Sequence, residues 1–413
     1  VPEMTVYENL FLGHEITNGF TIDWNKTIQR ATELLKKVRL DVNPVSKVKD
    51  LGAGKQQLVE IAKTLSRDVK LLILDEPTSA LNEDDIDNLF KLLRDLKHQG
   101  VTCVLISHKL KEVIEIADTV TVLRDGRTIC TLDAKKGEVS ENVLIKNMVG
   151  REINNIYPKR EHKNAGEIIF EVKHWNAYSP KLGRKILKDI NLNVRKGEIV
   201  GFAGLMGSGR TELALSIFGN PLGYKIDGEM FYQGKKIHFN LPQNAINTGV
   251  AYVTEDRKGN GLILIQDVKR NITLANLRKI SNRGVINNNA EVKIANEYKA
   301  SLNIKTPSVE QLVGNLSGGN QQKVSLGKWL FVKPNLSILD EPTRGIDVGA
   351  KYEIYTLINK LVKEGMAIMM MSSELSEILG ICDRVYIVSS GSITGELPIR
   401  EATQEKIMKL ATG

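Results

Sequence analysis

Cysteine is scarce in this chain of 413 residues: Cys103, Cys130 and Cys382 form an odd set without any CxxC pair. That count argues against a disulfide framework or a cysteine-based zinc site, and a reducing, cytosolic setting is expected. The histidines are few as well, and His14, His98, His162, His174 and His238 show no metal-ligand spacing. Aromatic residues make up 5% and do not interleave with a basic run, so no nucleic-acid stripe is visible. Long apolar stretches are missing too. Val101–Ile106 and Ala367–Met371 are strand-sized, whereas a membrane span requires roughly 18 apolar residues in a row. The start of the chain lacks the basic-then-apolar layout of a secretion signal. Lys+Arg exceeds Asp+Glu by 57 − 49 = 8, a mild excess that reads as charge spread over a solvated surface. At roughly 150 residues per domain, the length implies two to three domains.

What the sequence does contain is an internal repeat. LLILDEPTSAL at Leu71–Leu81 returns as LSILDEPTRGI at Leu336–Ile346, an offset from Asp75 to Asp340 of 340 − 75 = 265. LGAGKQQ (Leu51–Gln57) and LSGGNQQ (Leu316–Gln322) share that offset, as do ISHKL (Ile106–Leu110) and MSSEL (Met371–Leu375). An ungapped correspondence of this length marks a tandem duplication rather than a solenoid. The first copy is expected over 1–158, a short linker over 159–166 and the second copy over 167–413. The second copy carries GLMGSGRT at Gly204–Thr211, whose equivalent in the first would fall before Val1, at 204 − 265 = −61. An N-terminal truncation of the first copy is therefore expected.

KGEIVGFAGLMGSGRTELALSIFG reads as strand, glycine-rich turn, then helix. Leu71–Leu74 and Leu336–Leu339 are apolar runs ending in aspartate, the pattern of strands buried on both faces. Helical patterns over Glu83–His98 and Ala350–Lys363 lead into short strands at Val101–Ser107 and Ala367–Ser372. This alternation predicts an α/β fold with a mainly parallel sheet of P-loop type, present twice.

The phosphate loop asks for G-x-x-x-x-G-K-[ST], because glycines let backbone N–H groups converge on phosphate oxygens at a helix N-terminus. Gly204, Gly207, Ser208 and Gly209 meet that need, and Thr211 places a hydroxyl where Mg²⁺ is held. Arg210 stands at the lysine position, and its planar fork replaces a compact ammonium. Asp75 and Asp340 end strands, where a carboxylate holds Mg²⁺. Glu76 and Glu341 follow, where a base orients an attacking water. LSGGNQQ is a small-residue turn entering a helix, and its Ser317, Gly318 and Gly319 offer hydroxyl and N–H groups to a terminal phosphate.

With these motifs the chain resembles the tandem ATP-binding subunits of bacterial monosaccharide ABC importers, over essentially its whole length. DLGAGKQQLVEIAKTL, ISHKL, TEDRKGNG and DEPTRGIDVGAKYEIY are most similar to the xylose and multiple-sugar importers. The resemblance implies two tandem ABC-type ATPase domains that bind ATP and Mg²⁺ head to tail, at two unlike sites. One would use Asp75, Glu76 and His108 against the signature turn of Ser317, Gly318, Gly319 and Gln321. The other would use Gly204–Thr211, Asp340 and Glu341 against the turn holding Gly52 and Gly54. This second site departs from the family pattern: Arg210 replaces lysine, Gly52 and Ala53 replace Ser–Gly, and Ser373 stands at the histidine position. Glu255 occupies the usual glutamine position, facing the γ-phosphate and the permease. Trp175 or Tyr178 is expected to stack on adenine or simply to pack.

The resemblance further implies ATP hydrolysis that powers an integral-membrane sugar permease from the cytoplasmic face of the cell membrane. A periplasmic or surface sugar-binding protein is an indirect partner, and no nucleic acid is expected. The alternative is a nucleic-acid- or ribosome-associated tandem ABC ATPase. Such proteins insert a long charged helical arm, and the join near Gly150–Gly166 leaves no room for one.

Overall fold

The computed structural model describes every residue except Asp68, 79–80, Asn82, His108, Asp125, 150–156, 159–165, Met206 and Gly413. The chain divides into two compact units, Val1–Ile153 and Asn154–Gly413. Among the described residues no helix is long and apolar enough to cross a membrane.

The second unit is built on a six-stranded sheet. Its order is Val250–Val253, Leu336–Asp340, Ala367–Met371, Ile199–Ala203, Arg384–Ser389 and Ser392–Pro398. Neighbours pair in parallel except the last two, which pair antiparallel. Side chains alternate between the two faces of a strand, so each strand feeds two cores. Phe202, Ile338, Met369 and Met371 pack with Phe170, Trp175 and Leu187 from a second, four-stranded antiparallel sheet. On the opposite face, Ile199, Leu339 and Met370 pack with Tyr355, Ile358 and Val362 of the helix Val348–Lys363 and with Ile378. All five residues of Leu336–Asp340 are consequently buried. A helical lobe has its own core around Val268, Ile272, Ala295 and Val324. Tyr157 and Pro158 belong with this unit: the Tyr157 ring lies 5.4 Å from that of Tyr355, and Asn359 Nδ2 donates to the Pro158 carbonyl at 3.2 Å.

In the first unit, Leu71–Asp75 pairs in parallel with Thr102–Ile106. Its core joins Leu72 and Leu74 to Leu58, Ala62, Leu89 and Phe90 of the helices Ala53–Leu65 and Glu83–His98. The expectation that both aspartate-ending strands are buried on two faces fails here. Leu71 and Ile73 are 53% and 61% exposed, and Val104 and Ile106 point to the same open side. Their counterparts 265 residues later, Leu336, Ile338, Met369 and Met371, are the residues that the antiparallel sheet covers in the second unit. No described element of the first unit supplies that second layer.

Candidate functional site

In the second unit, the buried strand Ile199–Ala203 runs into the turn that precedes the helix Arg210–Ile217. Gly207 and Gly209 adopt φ of 78° and 106°, a region costly for residues with a side chain. Gly204 is required for a different reason: a Cβ there would lie 2.3 Å from the Val388 carbonyl oxygen. Ser208 Oγ is buried and has no hydrogen-bond partner among the described residues. An unsatisfied hydroxyl in a glycine turn at a helix N-terminus is chemistry suited to a phosphate oxygen.

Arg210 is buried and turned back over the loop. Its guanidinium donates to the carbonyls of Gly204 and of Ser372, the latter at 2.9 Å, and it pairs with Glu341 Oε1 at 3.2 Å. Burial pulls the Arg210 pKa down, and the negative charges of Glu341 and Asp340 oppose that pull. Glu341 accepts a second bond from Ser373 Oγ at 3.1 Å. Burial pushes its pKa up to about 7, against the opposing effects of Arg210 and Ser373. Asp340, at the buried end of its strand, accepts from the Tyr252 hydroxyl at 3.0 Å and is hydrogen-bonded to the Thr211 side chain. Burial raises the Asp340 pKa as well. One carboxylate and one hydroxyl side by side form a donor set that fits a hard divalent cation.

The structure therefore gathers Gly204, Ser208, Arg210, Thr211, Asp340, Glu341 and Ser373 at one end of the parallel sheet, where α/β folds bind ligands. Glu255 lies on the turn after Val250–Val253 and forms an ion pair with Arg344. Nearby, Arg257 donates to the carbonyls of Arg344 and Gly345 at 3.0 and 3.2 Å.

The turn at Ser317 opens the helix Gly318–Leu330. Ser317 Oγ accepts from Asn320 Nδ2 at 2.9 Å. Gly319 permits close packing, since a Cβ there would sit 2.6 Å from Ala350 Cβ. Gln321 is buried and braces the turn from within, donating to the carbonyls of Val313 and Leu316. In the first unit Gly52 caps the helix Ala53–Leu65, which contains Gly54, and an added Cβ at Gly52 would meet nothing within 4 Å. The equivalent brace there is Gln56 donating to the Leu51 carbonyl at 2.8 Å. Asp75 ends its strand exposed, and the Glu76 carbonyl accepts from Gln57 Nε2 at 3.3 Å. His108 lies outside the described residues.

Trp175 is not placed to stack on a base: it is 2% exposed in the core and donates its indole N–H to Ser216 Oγ at 3.0 Å. Sequence reasoning passed over Tyr252, Arg257 and Glu377. Tyr252 acts through strand neighbours that no motif reveals, whereas Glu377 repeats Glu112 at the 265-residue offset and was open to detection.

The two-sheet architecture and the glycine loop together define an α/β P-loop ATPase domain. The ABC transporter family description matches residues 1–79 and 187–344. The chain belongs to the ABC transporter family. It is 57% identical over 413 residues to the L-arabinose transport ATP-binding protein of Geobacillus stearothermophilus, covering 100% of this chain and 80% of that protein. It is 54% identical over 414 residues to the xylose import ATP-binding protein of Thermoanaerobacter pseudethanolicus, covering 81% of the latter and 100% of this chain. Among solved structures it is similar to MJ1267, an ATP-binding cassette of an ABC transporter. That match has a TM-score of 0.51 at 19% identity and covers 60% of this chain and 100% of MJ1267.

Proposed function

We propose that this chain is the ATP-binding and ATP-hydrolysing subunit of an importer for xylose or a related monosaccharide. It powers an integral-membrane permease from the cytoplasmic face, with a sugar-binding protein as an indirect partner. The observation that carries the reading is the convergence of Gly204–Thr211, Asp340, Glu341 and Ser373 at one sheet end. The names of the relatives favour an importer over the nucleic-acid-associated alternative.

In this reading Gly204, Gly207, Ser208 and Gly209 direct backbone N–H groups and a hydroxyl at phosphate oxygens, and Arg210 supplies the positive charge. Thr211 with Asp340 holds Mg²⁺ in the second copy, and Asp75 serves the first. When bound, Mg²⁺ neutralises charge on the phosphate oxygens. Glu76 and Glu341 orient water, and His108 steadies the γ-phosphate and the base of the first site. Ser317, Gly318 and Gly319, with Gly52 and Gly54 in the first copy, meet the terminal phosphate. Glu255 joins this chemistry to the permease contact. The functional division is the one the repeat sets, a first copy, a short linker and a second copy over 167–413, with Tyr157 and Pro158 packing as part of the second.

Uptake of radiolabelled xylose, arabinose and ribose by host cells, with and without the gene, tests the proposal. Loss of uptake of one of these sugars, restored by wild type but not by a Glu76→Gln variant, is the expected result. Unchanged uptake of all three would overturn it.

A further inference from the structure

Glu377 has no part in the site described above, yet it is fully buried in the second unit. Its carboxyl accepts from Thr343 Oγ1 at 2.7 Å and from Ser372 Oγ. The Tyr355 hydroxyl is hydrogen-bonded to it as well. Thr343 lies two residues after Glu341, and Ser372 immediately precedes Ser373. One carboxyl thus ties together the segments leaving two adjacent strands, Leu336–Asp340 and Ala367–Met371. The same Ser372 offers its carbonyl to Arg210 at 2.9 Å.

The backbone gives this tie a purpose. Glu341 is held at φ 47°, a left-handed conformation that is costly for a non-glycine residue and persists only where its surroundings over-determine it. The first unit repeats the arrangement independently. Glu76 sits at φ 45°, its N–H donates to the Ile106 carbonyl as that of Glu341 does to Met371, and Thr78 Oγ1 donates to the buried Glu112 at 2.6 Å. Glu112 and Glu377 stand 377 − 112 = 265 apart. Their neutralisation differs: Lys109 Nζ pairs with Glu112 at 3.1 Å, whereas residue 374 is a glutamate and Glu377 is held by hydroxyls.

We infer that Glu377, acting through Thr343 and Ser372, is a positioning residue that sets Glu341 and Ser373 toward the third phosphate of bound ATP. Glu112 does the same for Glu76 through Thr78. The inference rests on the nucleotide site proposed above and adds a residue that touches no ligand.

The test compares two nucleotides that differ at the third phosphate, the non-hydrolysable analogue AMP-PNP and ADP. Each is titrated calorimetrically into the 413-residue chain and into Thr343→Val, Thr343→Ser and Ser372→Ala. Losing the hydrogen bond that anchors the buried carboxyl should weaken AMP-PNP about tenfold in Thr343→Val, with ADP within about twofold. Thr343→Ser, which keeps the hydroxyl, should restore wild-type affinity, and Ser372→Ala should behave like Thr343→Val from the other side of the tie. Equal weakening of both nucleotides, or of neither, would show a packing role and overturn the inference. Wild-type chain that binds neither nucleotide would instead overturn the site reading beneath it.

Discussion

The carboxyl of Glu341 sits where burial and a cation pull in opposite directions, and burial prevails. Its pKa rises from an ordinary 4.5 to about 7 even though Arg210 lies 3.2 Å away. Because the folded value lies above the unfolded one, the folded state holds the proton over a range in which the unfolded state has released it. The stability so contributed is present in full below about pH 4.5 and is lost as pH rises through 7. Glutamine imitates the protonated carboxyl. Glu341→Gln is therefore expected to melt with wild type near pH 4.5, and to exceed it by about 1–3 kcal/mol at pH 8. Thermal denaturation at the two pH values checks this, and an equal shift at both would contradict it. The residue's importance was legible in the sequence, because DEPT occurs twice at one offset. Its electrostatic state was not, since Arg210 lies 131 residues away in the chain and Ser373 another 32 residues on the other side.

At the scale of elements, local pattern read well wherever it alone decides the structure. The helix Glu83–His98 has the expected limits, because its apolar residues recur at helical spacing over one packed face. The helix expected from Ala350 begins at Val348, since Asp347 caps it by accepting from the Ala350 N–H at 2.9 Å. Strand burial read less well. Leu71–Leu74 and Leu336–Leu339 are nearly the same string, and the string carries no record of how many layers cover it. The difference has a measurable consequence. Ile338 is fully buried, and Ile338→Ser should cost at least about 3 kcal/mol by opening a cavity and burying a hydroxyl. Ile73→Ser, on the open face, should cost less than about 1 kcal/mol. Urea denaturation followed by circular dichroism distinguishes the two, and comparable losses would mean that the Ile73 face is covered.

Over the whole molecule the duplication was the most legible feature, and the parallel sheet order explains how it becomes a site. Placing Ile199–Ala203 beside Ala367–Met371, and that strand beside Leu336–Asp340, brings three distant loop segments to one edge. The two copies then offer unlike chemistry at equivalent positions. Glu341 is engaged by Arg210 and Ser373, and burial pushes its pKa up to about 7, which favours the protonated form that takes no proton from water. The first copy has histidine at 108 where the second has Ser373, and its Glu76 is held in the same left-handed backbone conformation as Glu341. Turnover should therefore depend unequally on the two glutamates. In the transporter assembled with its permease, phosphate release at saturating Mg·ATP should fall at least about a hundredfold in Glu76→Gln, the loss expected when a general base is removed. The same measurement on Glu341→Gln should show less than about a tenfold loss, because Arg210 and Ser373 already engage both oxygens of that carboxyl. Equal losses would mean that Arg210 releases Glu341 when nucleotide binds and that both copies hydrolyse ATP.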